Sequence, residues 1–258
     1  MSPFQLLFDL DVKILNLGGV IKQVVNFLFH HKMYTVIKRN NILVKEENRK
    51  EDLYICALGP SLKDVDLYRI KGHTMVVNRF FKIGEHFSHF VPTYYVIIDS
   101  LFASKELAPE LKYALDMYIP KGTIFLLNSQ LEGNEVLKGY NKDQIFFLSS
   151  FSGEVDPTKE YRLDGVLPIF ENVAGAAILS GVCMGYKRIK LLGCDFNSFA
   201  STTRNHCYAD TKKERWYRMS FELFNYAFAS HMHDCINEFA IKHNALVTNS
   251  TKGSLIDA

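Results

Sequence analysis

From Asn172 to Phe196 the chain reads Asn-Val-Ala-Gly-Ala-Ala-Ile-Leu-Ser-Gly-Val-Cys-Met-Gly-Tyr-Lys-Arg-Ile-Lys-Leu-Leu-Gly-Cys-Asp-Phe. The Ala, Gly and Ser content predicts a helix over 173–185 that can lie very close to a sheet. A Gly-containing turn follows, then a buried strand over 188–194 that ends at Gly193-Cys194-Asp195. The helix start near Asn172 to Gly175 would offer free backbone N–H groups to an anion. The strand's carboxyl end would deliver Asp195 into the crevice where open α/β sheets bind ligands. Together these features point to a nucleotide or sugar-phosphate site.

The rest of the chain fits one α/β fold. Buried strands are expected at 53–58, 74–78, 94–99, 124–128, 145–148, 188–194 and 245–249. Helices are expected at 61–68, 103–118, 173–185 and 213–243. Strands alternating with helices predict a Rossmann-like, mostly parallel sheet with helices on both faces. Residues 3–34 read as one or two amphipathic helices, with Leu6, Leu7, Leu10, Ile14 and Leu17, then Ile21, Val24, Val25 and Leu28, at helical spacing. Gly18-Gly19 is expected to break or bend them. The bland reading packs this segment on the domain; the sharper one docks it on a membrane or a partner. Acidic Asp9 and Asp11, which do not suit an anionic lipid surface, put the bland reading first. Residues 38–52 are mostly charged and read as a linker, with Ile42 to Val44 as an optional edge strand. The division is therefore a helical extension and linker over 1–50 and a nucleotide-sugar-binding domain over 51–258.

Composition narrows the function classes. A chain of 258 residues with 48% hydrophobic and 22% charged residues suits a globular domain. A net charge of +2 gives no broad field for nucleic acid. The five cysteines make an odd count with no C-x-x-C pair, which argues against a disulfide framework and a structural zinc site. Asp9, Asp11, Lys13 and Lys22 interrupt every apolar run near the N-terminus, so no signal peptide or membrane span is expected. The expected location is cytoplasmic; peripheral contact with an inner membrane through residues 3–34 is an open alternative. A homo-oligomer is the expected assembly.

Polar residues sit repeatedly at the carboxyl ends of the strands: Asn78, Asp99, Asn128 and Asp195. Each could simply cap the next element; their convergence at the ligand-binding edge is the functional reading. Gly59-Pro60-Ser61 after the first strand permits close backbone approach, but it is neither G-x-G-x-x-G nor a Walker A loop. The loop after Asp195 carries Arg204, His206, Tyr208 and Asp210. Arg204 suits a phosphate or carboxylate, and His206 and Tyr208 suit proton transfer and hydrogen bonding. In His231-Met232-His233, positions i and i+2 point about 200° apart, so the pair makes a poor metal site. One of the two is expected to face the crevice as a base. No Asp-x-Asp triplet follows a strand, which favours metal independence.

Gly59-Pro60-Ser61-Leu62, Asn78 after Val76-Val77, Gly185-Tyr186-Lys187 and Gly193-Cys194-Asp195-Phe196 resemble the bacterial sialyltransferases of glycosyltransferase family 42. The resemblance covers roughly residues 53–250. The same pieces are similar to a broader group related to hydroxymethylpterin diphosphokinase. The family implies a cytoplasmic enzyme of lipooligosaccharide or surface-polysaccharide synthesis. It implies an inverting, metal-independent transfer from a CMP-linked sugar to a glycan or glycolipid acceptor, with no bound cofactor. A His would act as base and Tyr hydroxyls would steady the departing phosphate. By position, Gly59, Ser61, Asn78 and Asp195 would bind the donor; the reading of the strand ends, the helix start and the loop adds Asp99, Asn172, Asn197 and Arg204 as donor-binding candidates. Tyr208 matches one phosphate-contacting tyrosine, and His231 or His206 would be the base. The chain departs from the family pattern at Leu58, Asn197 and Asn172-Val173-Ala174. Two rivals stand beside this reading: a Mg²⁺-dependent pyrophosphokinase using ATP, with Asp99 and Asp195 as ligands, and a non-catalytic partner in glycan assembly.

Overall fold

Eight strands pair side by side, each parallel to its neighbours, in the order β6-β5-β4-β3-β2-β1-β7-β8. They are β1 (Asp52–Cys56), β2 (His73–Val77), β3 (Tyr94–Ile97), β4 (Ile124–Asn128), β5 (Ile145–Ser152), β6 (Val166–Pro168), β7 (Arg188–Leu192) and β8 (Leu246–Asn249). The computed structural model describes residues 35–152, 155–168, 172–200, 206–208 and 218–256, together with Leu10, Lys13, Ile14, Leu17, Gly18, Ile21 and Val25. The chain builds outward from β1 to β6, then returns to add β7 on the other side of β1. The order therefore reverses between β1 and β7, which opens a crevice at their carboxyl ends.

Both faces of the sheet are covered, as the alternation of strands and helices predicts. Leu53 and Ile55 of β1, Met75 and Val77 of β2, and Ile189 and Leu191 of β7 join one apolar core. That core is capped by α2 (Val173–Cys183) and α3 (Met219–Lys242). Cys56, Val76, Tyr95 and Phe125 point the other way, into a second core under α1 (Ala108–Tyr118) and a series of 3₁₀ turns. Alternate residues of one strand thus feed opposite layers, the period-2 rule acting on a sheet buried on both sides.

Helix α2 carries no charge, and residues Ala174 to Val182 are all buried. Gly181 is what lets it seat: a Cβ there would lie 2.6 Å from Leu53 Cδ2 and 3.1 Å from Ile189 Cδ1. The helix ends in a left-handed Gly185 (φ +97°), with Gly185 N–H donating to Val182 O and Tyr186 N–H to Gly181 O. That is the double hydrogen bond of a Schellman cap. The small residues and the Gly turn legible in the sequence are thus the two devices that fix this helix against the sheet.

Several boundaries differ from the sequence reading. The helix expected over 103–118 is a 3₁₀ turn at Ser100–Ala103 followed by α1, because Pro109 suits a first helical turn and not an interior. The helix expected over 61–68 is two 3₁₀ turns, Pro60–Asp64 and Leu67–Arg69. β6 escaped notice because it is three residues long and ends in Pro168. The long helix expected over 213–243 begins at Met219, and residues 213–217 lie outside the described set. Gly18 is helical, and Gly19, the other residue of the expected break, lies outside the described residues. Leu10, Ile14, Leu17, Ile21 and Val25 are helical and 47–63% exposed, so this stripe is not buried against the domain.

The linker reading of 38–52 is corrected by burial. Lys38–Leu43 is a 3₁₀ helix, not an edge strand, and Ile37 and Leu43 enter the two cores. Asn40 is fully buried and donates from Nδ2 to Phe147 O (2.7 Å) and Leu163 O (2.8 Å). Asn48, equally buried, donates to Leu43 O and Met184 O. These two amides stitch a charged segment onto the sheet, and the flanking charges stay in solvent. Asn40→Ala leaves two buried carbonyls without their donor and should cost about 2–4 kcal/mol of stability. A true linker position would change by less than about 0.5 kcal/mol. Urea unfolding of the variant against wild type separates the two.

Candidate functional site

The crevice between β1 and β7 is a cavity of about 470 Å³, within the size range of small-molecule sites. Four segments far apart in sequence meet there: Ala57 to Pro60 after β1, Val77 and Asn78 after β2, Asn172 to Ala174 at the start of α2, and Gly193 to Asn197 after β7. His206 and one stripe of α3 complete the lining.

The backbone ladder continues past the strand ends. Ala57 N–H donates to Leu192 O and Gly59 N–H to Gly193 O, both at 2.8 Å. This draws the Asp195 carboxylate onto Gly59, where a Cβ would lie 1.9 Å from Oδ2. Glycine is required here by space, since its φ is an ordinary −68°. Ser61 turns its Oγ back to Asp195 Oδ2 at 2.8 Å. Gly193 does need its left-handed φ of +64°, and Phe196 adopts φ +52°. A bulky residue in that region is strained, and strain of this kind collects at functional sites.

Asn78 also has a positive φ, +40°, a conformation Asn tolerates. Its backbone is held on both sides, N–H to Val96 O at 2.8 Å and C=O accepting from Tyr95 Oη at 2.7 Å. Its Oδ1 is buried and has no hydrogen-bond partner among the described residues. A buried acceptor lining a cavity is satisfied when a ligand N–H or O–H arrives.

At the start of α2, Asn172 Oδ1 accepts from Gly175 N–H at 2.8 Å, an N-cap. The cap takes the third N–H of the helix, and Val173 and Ala174, whose N–H groups precede it, line the cavity. Oriented N–H groups at a helix start favour an anion. The Asn172 amide reaches in the other direction to His233 Nε2, 3.1 Å away. His233 is buried, and burial pushes its pKa down to about 4. Burial likewise pushes the Cys194 thiol up to about 12, so this cavity thiol stays protonated.

Of the residues expected from sequence, Gly59, Asn78, Asn172, Asp195, Asn197 and His206 line the cavity. Ser61 acts through Asp195. The loop carrying His206 is tied to β1 by Cys207 N–H donating to Leu58 O at 2.8 Å. Tyr208 is not in the cavity lining: it is buried, and its ring stacks on His206 at 4.9 Å and 6°. Asp99 caps its own turn by accepting from Leu101 N–H and does not line the cavity. Arg204 lies outside the described residues. His231 is not in the lining; its Nε2 lies 3.7 Å from Cys235 Sγ.

On α3 the lining residues are Glu222, Asn225, Tyr226, Ala229 and His233, of which sequence reasoning names only His233, as one of the His231–His233 pair. Their spacing, i, i+3, i+4, i+7 and i+11, is one helical face, and His231 lies off it. That periodicity was the available signal. It selects His233 over His231, the choice the sequence reading of the pair left open. Tyr226 packs between Phe196 and Phe199, at 4.8 and 4.9 Å.

Among the described residues no cluster of three or more His, Cys, Asp or Glu side chains comes together, and no helix is long and apolar enough to cross a membrane.

No protein-family model and no curated protein sequence matches the chain. Solved structures similar to it include the Campylobacter jejuni sialyltransferase CstII in complex with CMP-3FNeuAc, at 14% identity and TM-score 0.45, covering 80% of this chain and 83% of that one. The monofunctional alpha-2,3-sialyltransferase Cst-I of the same organism overlaps at 14% identity and TM-score 0.47, over 82% and 79%. Overlap this partial carries no residue-to-residue correspondence.

The His233 ring makes a prediction. Its folded pKa lies below the unfolded value, so the unfolded chain binds more protons as pH falls from 6.5 toward 4, and stability drops with it. The loss attributable to His233 should reach about 2 kcal/mol by pH 5. Urea midpoints at pH 6.5 and 5 should show a smaller drop for His233→Asn than for wild type.

Proposed function

We propose that this chain is an inverting glycosyltransferase that uses a nucleotide-activated sugar, with a CMP-linked donor favoured. One observation carries the reading. The sequence pieces that resemble family 42 sialyltransferases are scattered over more than a hundred residues, yet Gly59, Asn78 and Gly193 to Phe196 meet on a single cavity. Val173 and Ala174, at the start of α2, line the same cavity.

In this reading the donor phosphate sits at the start of α2, against Val173 and Ala174, and Asn78 Oδ1 accepts from the nucleoside. His206 takes the proton from an acceptor hydroxyl. The hydroxyl oxygen then bonds to the anomeric carbon as the bond from that carbon to the phosphate oxygen breaks. The electron pair leaves with the nucleotide, whose growing charge is met by the helix N–H groups and the Tyr226 hydroxyl. The stacked Tyr208 ring and the Cys207 tether hold His206 in place.

Ligand-dependent unfolding tests the substrate class. CMP, CDP, UDP, GDP and ATP are compared, each with and without Mg²⁺. A ligand at about 100 times its Kd raises stability by about 2.7 kcal/mol. A shift with CMP that needs no Mg²⁺ is expected. A shift only with ATP and Mg²⁺ would replace this reading with the pyrophosphokinase, and no shift with any nucleotide would favour a non-catalytic role. On activity, His206→Ala should lower kcat about 10²–10⁴-fold while His231→Ala leaves it nearly unchanged. Equal activity of both variants would remove His206 as base.

The N-terminal segment fits the same proposal as a peripheral contact with an anionic membrane bearing a glycolipid acceptor. The exposed stripe Leu10, Ile14, Leu17, Ile21 and Val25 supports it, with Lys13, Lys22 and Lys32 outnumbering Asp9 and Asp11 in that segment. Full-length protein should co-sediment with vesicles of anionic phospholipid, and Ile14→Glu with Leu17→Glu should abolish this. Unchanged sedimentation would exclude the stripe as the contact.

A further inference from the structure

We propose that Asn172 is a positioning residue that locks His233 as a neutral imidazole with its proton on Nδ1, so that His233 serves the cavity as a hydrogen-bond donor and not as the base. The argument is geometric. Asn172 has one acceptor and one donor group in its side chain. The acceptor is committed: Oδ1 takes the Gly175 N–H at 2.8 Å, which fixes the way the amide faces. Only the NH₂ is left for His233, and it lies 3.1 Å from Nε2. A donor facing Nε2 requires a lone pair there, so the proton of the neutral ring sits on Nδ1. Among the described residues Nδ1 has no protein partner, and the ring lines the cavity and is flanked by Phe196 at 5.9 Å.

The surroundings reinforce this state. The other titratable side chains of the lining are Asp195, Cys194, His206, Glu222 and Tyr226, and none of them is hydrogen-bonded to His233. Among the described residues no carboxylate holds the ring as an imidazolium. A neutral imidazole N–H is a donor whose strength does not change across the working pH range. With Nε2 occupied and Nδ1 carrying a proton, His233 cannot accept a proton without breaking its contact to Asn172. That leaves His206 as the cavity histidine able to act as base. This last step rests on the glycosyltransferase reading; the tautomer itself does not.

The test is ¹⁵N NMR of the free, full-length protein labelled at histidine, which needs neither substrate nor activity. In wild type, His233 should show a protonated-type shift at Nδ1 and an unprotonated-type shift at Nε2, unchanged down to pH 5. Asn172→Asp keeps an acceptor for the Gly175 N–H but turns the donor facing His233 into an acceptor. The proton should then move to Nε2, and the ring should titrate at a higher pH than in wild type. Asn172→Ser retains a helix cap but does not reach His233, so it should give a mixture of tautomers. A wild-type His233 protonated at Nε2, or the same tautomer in all three proteins, would overturn the proposal. If the tautomer is as stated and no nucleotide binds, the lock stands and the glycosyltransferase reading fails.

Discussion

The closure of β1 onto β7 beyond their last strand residues is the constraint on which the site depends. Two further ladder bonds, from Ala57 and Gly59, bring the backbone at Gly59 against the Asp195 carboxylate with no room for a single added carbon. Ser61 then closes the contact from the side-chain direction. Gly193 is pinned in the same way, since a Cβ there would meet Leu62 Cβ at 2.8 Å and Ala57 O at 3.0 Å. The floor of the cavity is therefore glycine backbone packed directly on the Asp195 carboxylate, Leu62 and the neighbouring strand's carbonyls, at the point where the strand order reverses.

The wall opposite is set by how closely α2 approaches the sheet. Without a side chain at Gly181 the helix drops onto Leu53 and Ile189, and without one at Gly175 it admits Ile236 of α3. That packing carries Asn172 within hydrogen-bond reach of His233 on the neighbouring helix. Burial of the ring and its partner then decide its protonation together. The same close packing that stabilises the fold thus sets the chemical state of a cavity residue.

Support for the site comes from a third direction through the loop after β7. Cys207 anchors to Leu58, and the Tyr208 ring, sunk in the second core, presents a flat surface to His206. A tyrosine that sequence position alone would assign to phosphate contact is used as a platform. Ser254 and Asn249 secure the far side of the strand end, with Ser254 Oγ donating to Cys194 O at 2.7 Å and Asn249 Oδ1 accepting from Thr251 N–H at 3.0 Å. The segment following β8 thereby braces the turn that bears Asp195.

The sequence by itself determined the parallel sheet, the small-residue helix and its Gly185 stop; of the four polar strand ends it singled out, Asn78 and Asp195 line the cavity, while Asp99 and Asn128 cap their own turns. The sheet, the helix and its stop follow from local rules: strands buried on both faces, helix caps, and glycine where space or φ demands it. The helical period in the sequence puts His233 on one face with Glu222, Asn225, Tyr226 and Ala229 and leaves His231 off it, but only tertiary structure decided that this face of α3 packs inward on the cavity. It also decided that residues 38–52 pack on the sheet, since Phe147 and Leu163, the partners of Asn40, and Met184, one partner of Asn48, lie more than a hundred residues away. The role of Tyr208 was hidden for the same reason. Whether a hydroxyl-bearing ring faces a ligand or a core depends on what is packed behind it, and local spacing carries no record of that.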